Sequence, residues 1–445
     1  MRQTRTAQMS IFDFYSEHER SNHFRKLSAF LDEHPELIRL AEKDLLNTNA
    51  KATGCRGLSV ESIFRCMLLK QITRVSYREL SFLLTDSRTC RTFARLDRNC
   101  YPGKAALCLN IRRLRPETLQ AVFEQSAMSA FRRDKLETGL MRLDSTVVKS
   151  NIAAPSDSRL LDDGIRVLSR LFSKSDDRTG VKLRLTDYRK DSRKLAAAIF
   201  YGKKAEKDAL YPDLLSLGKK VVKQSIRALD QVKMNSVDPM ACAWIEDVLH
   251  YRHLLERVID QTERRVIAGE KVPAAEKIVS LFEPHTDIIV KANRGVEYGH
   301  KINLSTNRHG FITIMMLEEG NPKDSERFIP LLQAHKKLYG HVPTVTIADG
   351  CYARLDNITA ARGMGTEKVA FHKKNGIPVS AMGIKEKTLK KLRNFRAGIE
   401  GNISELKRSF GAGKAMWKGE SGFAAFVWAS VISYNLTHLV RLNSS

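Results

Sequence analysis

The sequence predicts an α/β fold: a mixed sheet with flanking helices, interrupted after its first strand by an all-helical insertion and preceded by an all-helical N-terminal domain. Three observations carry this. Residues 1–136 place their apolar side chains at helical spacing. Residues 139–148 then change to an alternation of period two, as a strand requires. After a further helical stretch, the chain from about 288 onward alternates short apolar strands with amphipathic helices.

Each element has its own signal. Ser59 caps a helix whose apolar face is Val60, Ile63, Phe64, Met67 and Leu68. After a turn at Thr73–Val75, Ser76 and Glu79 form a capping-box pattern that opens a second helix, with Leu80, Leu83 and Leu84 inward. Two helices on a short turn, with Arg74, Arg78, Arg88, Arg91 and Arg95 close by, read either as a helix-turn-helix-like DNA reader or as a plain helical hairpin with solvated arginines. In Gly139–Val148, Asp144 falls near the middle of the strand, as an exposed polar position or a site residue. The insertion, 153–287, begins with a helix marked by Leu160, Leu161, Ile165, Leu168 and Leu171. It continues with long helices over Pro212–Val232, the proline at its opening, and Ala241–Ile267. Tyr298–Ser305 and Phe311–Leu317 form a hairpin about Asn307–Gly310. Pro322 and Asp324 open a helix that Gly340 closes. Thr344–Ala348 is a short strand ending at Asp349, followed by a helix, a strand at Lys368–Phe371 and a helix carrying Glu400. This succession is that of a ribonuclease H-like mixed five-stranded sheet, its first strand in 137–152 and its remainder in 288–445.

Bulk properties narrow the partner. The 445 residues carry 75 Lys and Arg against 50 Asp and Glu, a formal net charge of +25, which favours a polyanion. Between Phe371 and Lys418 the bias sharpens to twelve Lys or Arg against three Glu. The seven cysteines form no C-x-x-C pair, which argues against a zinc ribbon or disulfide framework and for ordinary buried thiols. Met1–Tyr15 holds arginines without an apolar run behind them, so no secretory leader is expected. Phe423–Leu442 is long enough to cross a bilayer, but Ser430, Ser433, Asn435, Thr437 and His438 interrupt it; a buried terminal helix is expected, and no membrane partner.

Three acids carry the chemistry. Asp144 and Asp349 would face each other on adjacent strands, and Glu400 would complete the set from a helix on that sheet. At about 100° per residue, Glu400 lies about 40° and Lys407 about 20° from Arg396, so one helix face presents a cation, an acid and a cation. Glu405, the rival third acid, points about 140° from Glu400 and should face elsewhere. Each acid also has a plainer reading: a surface strand residue for Asp144, a turn cap for Asp349, a helix-surface partner of Arg396 for Glu400. Together they suit hydrolysis and strand joining at phosphorus, for which two divalent ions roughly 3.5–4 Å apart activate one oxygen and stabilise the other. Three carboxylates suffice to ligate magnesium, which keeps water and phosphate oxygens as its other ligands.

The string Arg393, Arg396, Glu400 and Lys407 resembles the tyrosine-(2)-arginine-(3)-glutamate-(6)-lysine signature of a branch of DDE transposases from bacterial insertion sequences, with Arg393 in place of the tyrosine. The segments Leu143–Asn151, Ser156–Leu168, Gly299–Ser305, Glu318–Asp324, Thr346–Tyr352 and Leu58–Leu96 resemble the same group, and the likeness is weakest over Arg178–Val290. The resemblance implies Asp144, Asp349 and Glu400 as catalytic metal ligands, with Mg2+ or Mn2+, two ions, as cofactor. It implies Arg393, Arg396, Lys407 and Arg408 on DNA phosphates, with Arg74 and Arg78 of the N-terminal domain reading the ends. The partners implied are double-stranded DNA, as terminal inverted repeats and target, and a second copy in a synaptic dimer. The expected place is the bacterial cytoplasm, at the nucleoid when bound to DNA. Two other readings stay open: a domesticated DNA-binding protein that keeps the scaffold without chemistry, and a structure-selective nuclease on the same fold. Trp244, Trp417 and Trp428 are read as packing residues rather than holders of an extruded base.

Overall fold

The computed structural model describes residues 4, 17–46, 57–132, 136–233, 238–291, 295–372 and 376–442. The expectations for Met1–Tyr15, Thr4 apart, and for Cys55 lie outside these residues. By packing the chain divides into two compact units, one formed by residues 1–151 and 300–445, the other by 152–299.

Numbering helices of eight residues or more, the first unit begins with α1 (Glu19–Glu33), α2 (Val60–Thr73), α3 (Tyr77–Asp86), α4 (Lys104–Ile111) and α5 (Pro116–Arg132). Ser59 caps α2 by accepting from the Ser62 N–H, and the Ser76–Glu79 capping box opens α3. Arg74, between them, takes a left-handed conformation (φ 58°) that ends α2 sharply. Residues 60–71 of α2 are buried on every side, so this helix is the axis of the N-terminal region. Within it Glu61 and Arg65 survive burial through pairing: Arg65 and, from outside the helix, Arg95 share Glu61 and Asp32 at 2.5–3.0 Å. Gln71 donates to the Phe426 carbonyl and Ser430 Oγ of the C-terminal helix, joining this region to the rest of the unit.

The strands are β1 (Leu140–Lys149), β2 (Asp287–Lys291), β3 (Gly295–Thr306), β4 (Ile312–Leu317), β5 (Val345–Ala348) and β6 (Lys368–Phe371). They form one mixed six-stranded sheet in the order β2-β3-β1-β5-β6, with β4 also on β3. The sequence suggested five strands. The extra one, β2, is the short run Asp287–Lys291, which pairs antiparallel with the first residues of β3. β1 runs parallel to β5, and β5 to β6. The helices α10 (Asp324–Tyr339), α11 (Leu355–Gly363), α12 (Glu386–Ser409) and α13 (Glu420–Leu442) complete the unit. α13 is the one described helix long and apolar enough to cross a membrane, and 89% of that apolar window is buried in the core.

The second unit holds α6 (Asp157–Ser173), α7 (Arg189–Tyr201), α8 (Lys204–Lys233) and α9 (Pro239–Thr262). Its core joins Leu161, Ile165, Leu168, Leu255 and Val258 around the fully buried Trp244, whose Nε1 donates to the Leu171 carbonyl. Pro212 does not open its helix as expected; it lies inside α8, which starts eight residues earlier. The proline at a helix start is Pro239, behind the capping Asp238. A proline inside a helix removes one backbone bond and crowds the carbonyl four residues back, and spacing alone does not distinguish that position from a helix start.

Candidate active site

β1 and β5 bring the first two acids together by register. Leu140 to Leu143 pair in order with Val345 to Ala348, so the next residues along the two strands are Asp144 and Asp349. Asp349 is the extended residue before a tight turn at Gly350–Tyr352, and its side chain caps nothing there. The carboxylate therefore caps no main-chain N–H of that turn.

It is aimed at Arg396. From α12 the Arg396 Nη2 lies 2.7 Å from Asp144 Oδ2 and 3.6 Å from Asp349 Oδ1, while Nη1 lies 2.9 Å from Glu400 Oε1. One guanidinium thus gathers acids from β1, from the end of β5 and from α12. The Arg396 side chain is 8% exposed, and the acids grade outward from Asp144 (15%) through Asp349 (30%) to Glu400 (66%). The Asp144 carboxyl is pushed up to about 6, by burial first, against the downward pull of Arg396 and the Ser145 N–H, with the charges of Asp349 and Glu400 adding to the rise.

Glu405 faces away, as the helix angle requires, and accepts from His438 Nε2 and Arg441 Nη1 of α13, each at 3.1 Å. Arg393 and Lys407 are half-buried on α12 and Arg408 is exposed. The Arg408 carbonyl accepts from the guanidinium of Arg74, tying the end of α12 to the turn after α2. Arg78 is exposed on α3. Two arginines of the helix-turn-helix reading are taken up internally: Arg91 donates to the Cys100 and Arg98 carbonyls at 2.8 and 2.7 Å, and Arg95 joins the Glu61–Asp32 network.

What holds α12 in place was not read from the sequence. Arg142, two residues before Asp144 and buried, sends Nε to Thr306 Oγ1, Nη1 to the Phe395 carbonyl and Nη2 to Asn402 Oδ1, each at 2.7 Å. Its guanidinium also lies over the Phe395 ring, 4.7 Å from the centroid. Ser145, which contacts Asp144, and Asp324 and Lys301, linked to it in turn, were equally missed. Ser145 donates its N–H to Asp144 Oδ1 at 2.8 Å and its hydroxyl to Asp324 Oδ2 at 3.0 Å. In the sequence Asp324 signals only a helix start, and Lys301 only one polar position in a strand.

Of the cysteines, Cys66 and Cys90 are buried as expected, whereas Cys242 and Cys351 are exposed; none of the described cysteines is in a disulfide. Trp417 and Trp428 are both buried, against Phe426 and Phe123.

The donor chemistry at the acids suits a hard divalent cation, since all three are carboxylates on one negatively charged pocket. With Arg396 between them, no group of three or more His, Cys, Asp or Glu among the described residues is closed up into a ready coordination shell. The guanidinium is the cation that the acids share.

Fold and site define a class: a mixed α/β protein with a carboxylate cluster on two parallel central strands, one acid within β1 and one just past β5, completed from a neighbouring helix. Residues 290–436 match the family described as Transposase DDE domain. Asp349 and Glu400 fall inside the match and Asp144 before it. A domain of this family acts on DNA and generally uses divalent metal ions. No curated protein and no solved structure matches the chain.

Proposed function

We propose that this protein is a DNA transposase that cuts at the ends of an insertion sequence and joins the freed strand to target DNA, with Asp144, Asp349 and Glu400 as its metal ligands. The single observation that carries the reading is the convergence of these three acids, from distant parts of the chain, on one guanidinium. Side chains with no shared task have no reason to meet so, since gathering three anions costs energy that a fold without chemistry would avoid.

In this reading the strands β4-β3-β1-β5-β6 are a ribonuclease H-like sheet, with β2 an addition at the β3 edge. Magnesium or manganese, as two ions, would activate the attacking oxygen and stabilise the leaving oxygen in an in-line displacement at phosphorus. The protein's own part is placement. The Ser145 N–H fixes the rotamer of Asp144, and the β1–β5 register sets the separation of the two aspartates. Arg142 pins α12 so that Glu400 faces them. Arg396 offsets the charge of the acids, and Arg393, Lys407 and Arg408 continue a basic helix toward DNA phosphates. The exposed Arg78 belongs to end recognition, and Arg74 joins it through its hold on the end of α12. Action on two ends at once calls for a dimer.

Asp349→Ala tests the assignment. The variant should lose cleavage of end-containing DNA in magnesium, by at least about a thousandfold, while binding that DNA nearly as well as the parent. Undiminished cleavage would remove Asp349 from the chemistry.

A further inference from the structure

Two segments of this chain resemble transposases without any role following from the likeness: Gly299–Ser305 and Glu318–Asp324. The fold brings one residue from each together. Lys301 on β3 and Asp324 at the first turn of α10 form an ion pair, Nζ to Oδ1 at 3.1 Å, with side chains only 11% and 14% exposed. Lys301 also donates to the Pro322 carbonyl at 2.6 Å, so the ammonium is held from two sides. Asp324 begins α10 but caps nothing there; its second oxygen accepts from Ser145 Oγ.

Ser145 is the link. β1 leaves its pairing with β5 at Leu143, and beyond that ladder the Ser145 N–H turns to Asp144 Oδ1. The direction of that N–H depends on how residue 145 is held, and its hydroxyl is anchored on Asp324. We propose that Asp324, anchored by Lys301, is a positioning residue that sets the orientation of the Asp144 carboxylate through Ser145. The proposal rests on the reading of Asp144 as a metal ligand.

The charges agree with it. Asp144, Asp349, Glu400 and Asp324 are four anions, and Arg396 and Lys301 are two cations. Asp324 adds a negative charge beside Asp144, and Lys301 cancels that charge locally. The net deficit of positive charge stays at the three outer acids, where a divalent ion would be attracted. Orienting partners one shell out commonly change metal affinity ten- to a hundredfold.

The test is Mn2+ binding to the purified full-length protein, read from the free Mn2+ paramagnetic resonance signal, with metal-free DNA binding and the thermal melt measured alongside. Asp324→Asn loosens the carboxylate hold on the Ser145 hydroxyl and leaves the Lys301 ammonium uncompensated, and should weaken Mn2+ binding about tenfold. Ser145→Ala removes only the hydroxyl link and should weaken it severalfold, with metal-free DNA binding retained. Should Asp324→Asn fail to fold, Ser145→Ala carries the test alone. Parental Mn2+ affinity in a folded Asp324→Asn and in Ser145→Ala, with Asp144→Asn losing the ion, would overturn the positioning role. Parental affinity in Asp144→Asn would instead overturn the ligand assignment beneath it.

Discussion

Two buried arginines at the inner face of α12, Arg396 from the helix itself and Arg142 from β1, serve opposite electrostatic ends. Arg396 meets only acids, whereas the three hydrogen bonds of Arg142 go to a hydroxyl, a main-chain carbonyl and an amide oxygen. Burial pulls the Arg142 pKa down, yet a guanidinium starts so high that it stays charged and can clamp through neutral acceptors. Gly398 makes the clamp fit. A Cβ at that position would stand 2.2 Å from Arg142 Nη1 and 3.0 Å from Cζ. Helix propensity alone would make Gly398→Ala stabilising by about 1 kcal/mol. We expect the reverse, a loss of about 1–3 kcal/mol from overpacking, in urea denaturation. A more stable Gly398→Ala would mean that the guanidinium yields without cost.

At the scale of elements, α13 shows why a nearly continuous apolar helix is interrupted by polar side chains. Asn435 accepts from the Ile312 N–H at 3.0 Å and donates to the Ile312 carbonyl at 2.8 Å, satisfying the first residue of β4 from within the core. Tyr434 donates to the Gly310 carbonyl just before it. Asn435→Leu should therefore cost about 2 kcal/mol or more, because two buried main-chain groups lose their partner. An unchanged denaturation midpoint would show that other groups satisfy them. Most elements were legible because caps and periodicity are local: the Ser76–Glu79 box, the strand about Asp144 and the Gly340 stop all stand where the pattern put them. β2 was not legible, since Asp287–Lys291 lies at the boundary of the helical insertion and exists by pairing with β3.

Across the whole molecule the net charge of +25 makes binding to DNA salt-dependent by release of counterions. Lys407 stands on the helix that carries Glu400. Lys407→Ala should weaken DNA binding and make the slope of log K against log salt shallower by about one unit. An unchanged slope would take Lys407 off the phosphate path. Charge at this scale favours a polyanionic partner but does not distinguish cations that meet DNA from those that hold the protein together. Arg91 and Arg95, grouped with Arg78 by sequence, turned inward to carbonyls and carboxylates.

The sequence by itself determined the order of elements and placed Asp144, Asp349 and Glu400 on a strand, a strand end and a helix, because capping, periodicity and helix angle act over a few residues. Only the tertiary structure decided which cation the acids share, that Arg142 and Gly398 seat α12, and that Ser145 links Asp144 to Asp324 and Lys301. Those contacts join residues far apart in the chain. They depend on the sheet register and on which charges are withdrawn from water together, and neither leaves a local pattern to read.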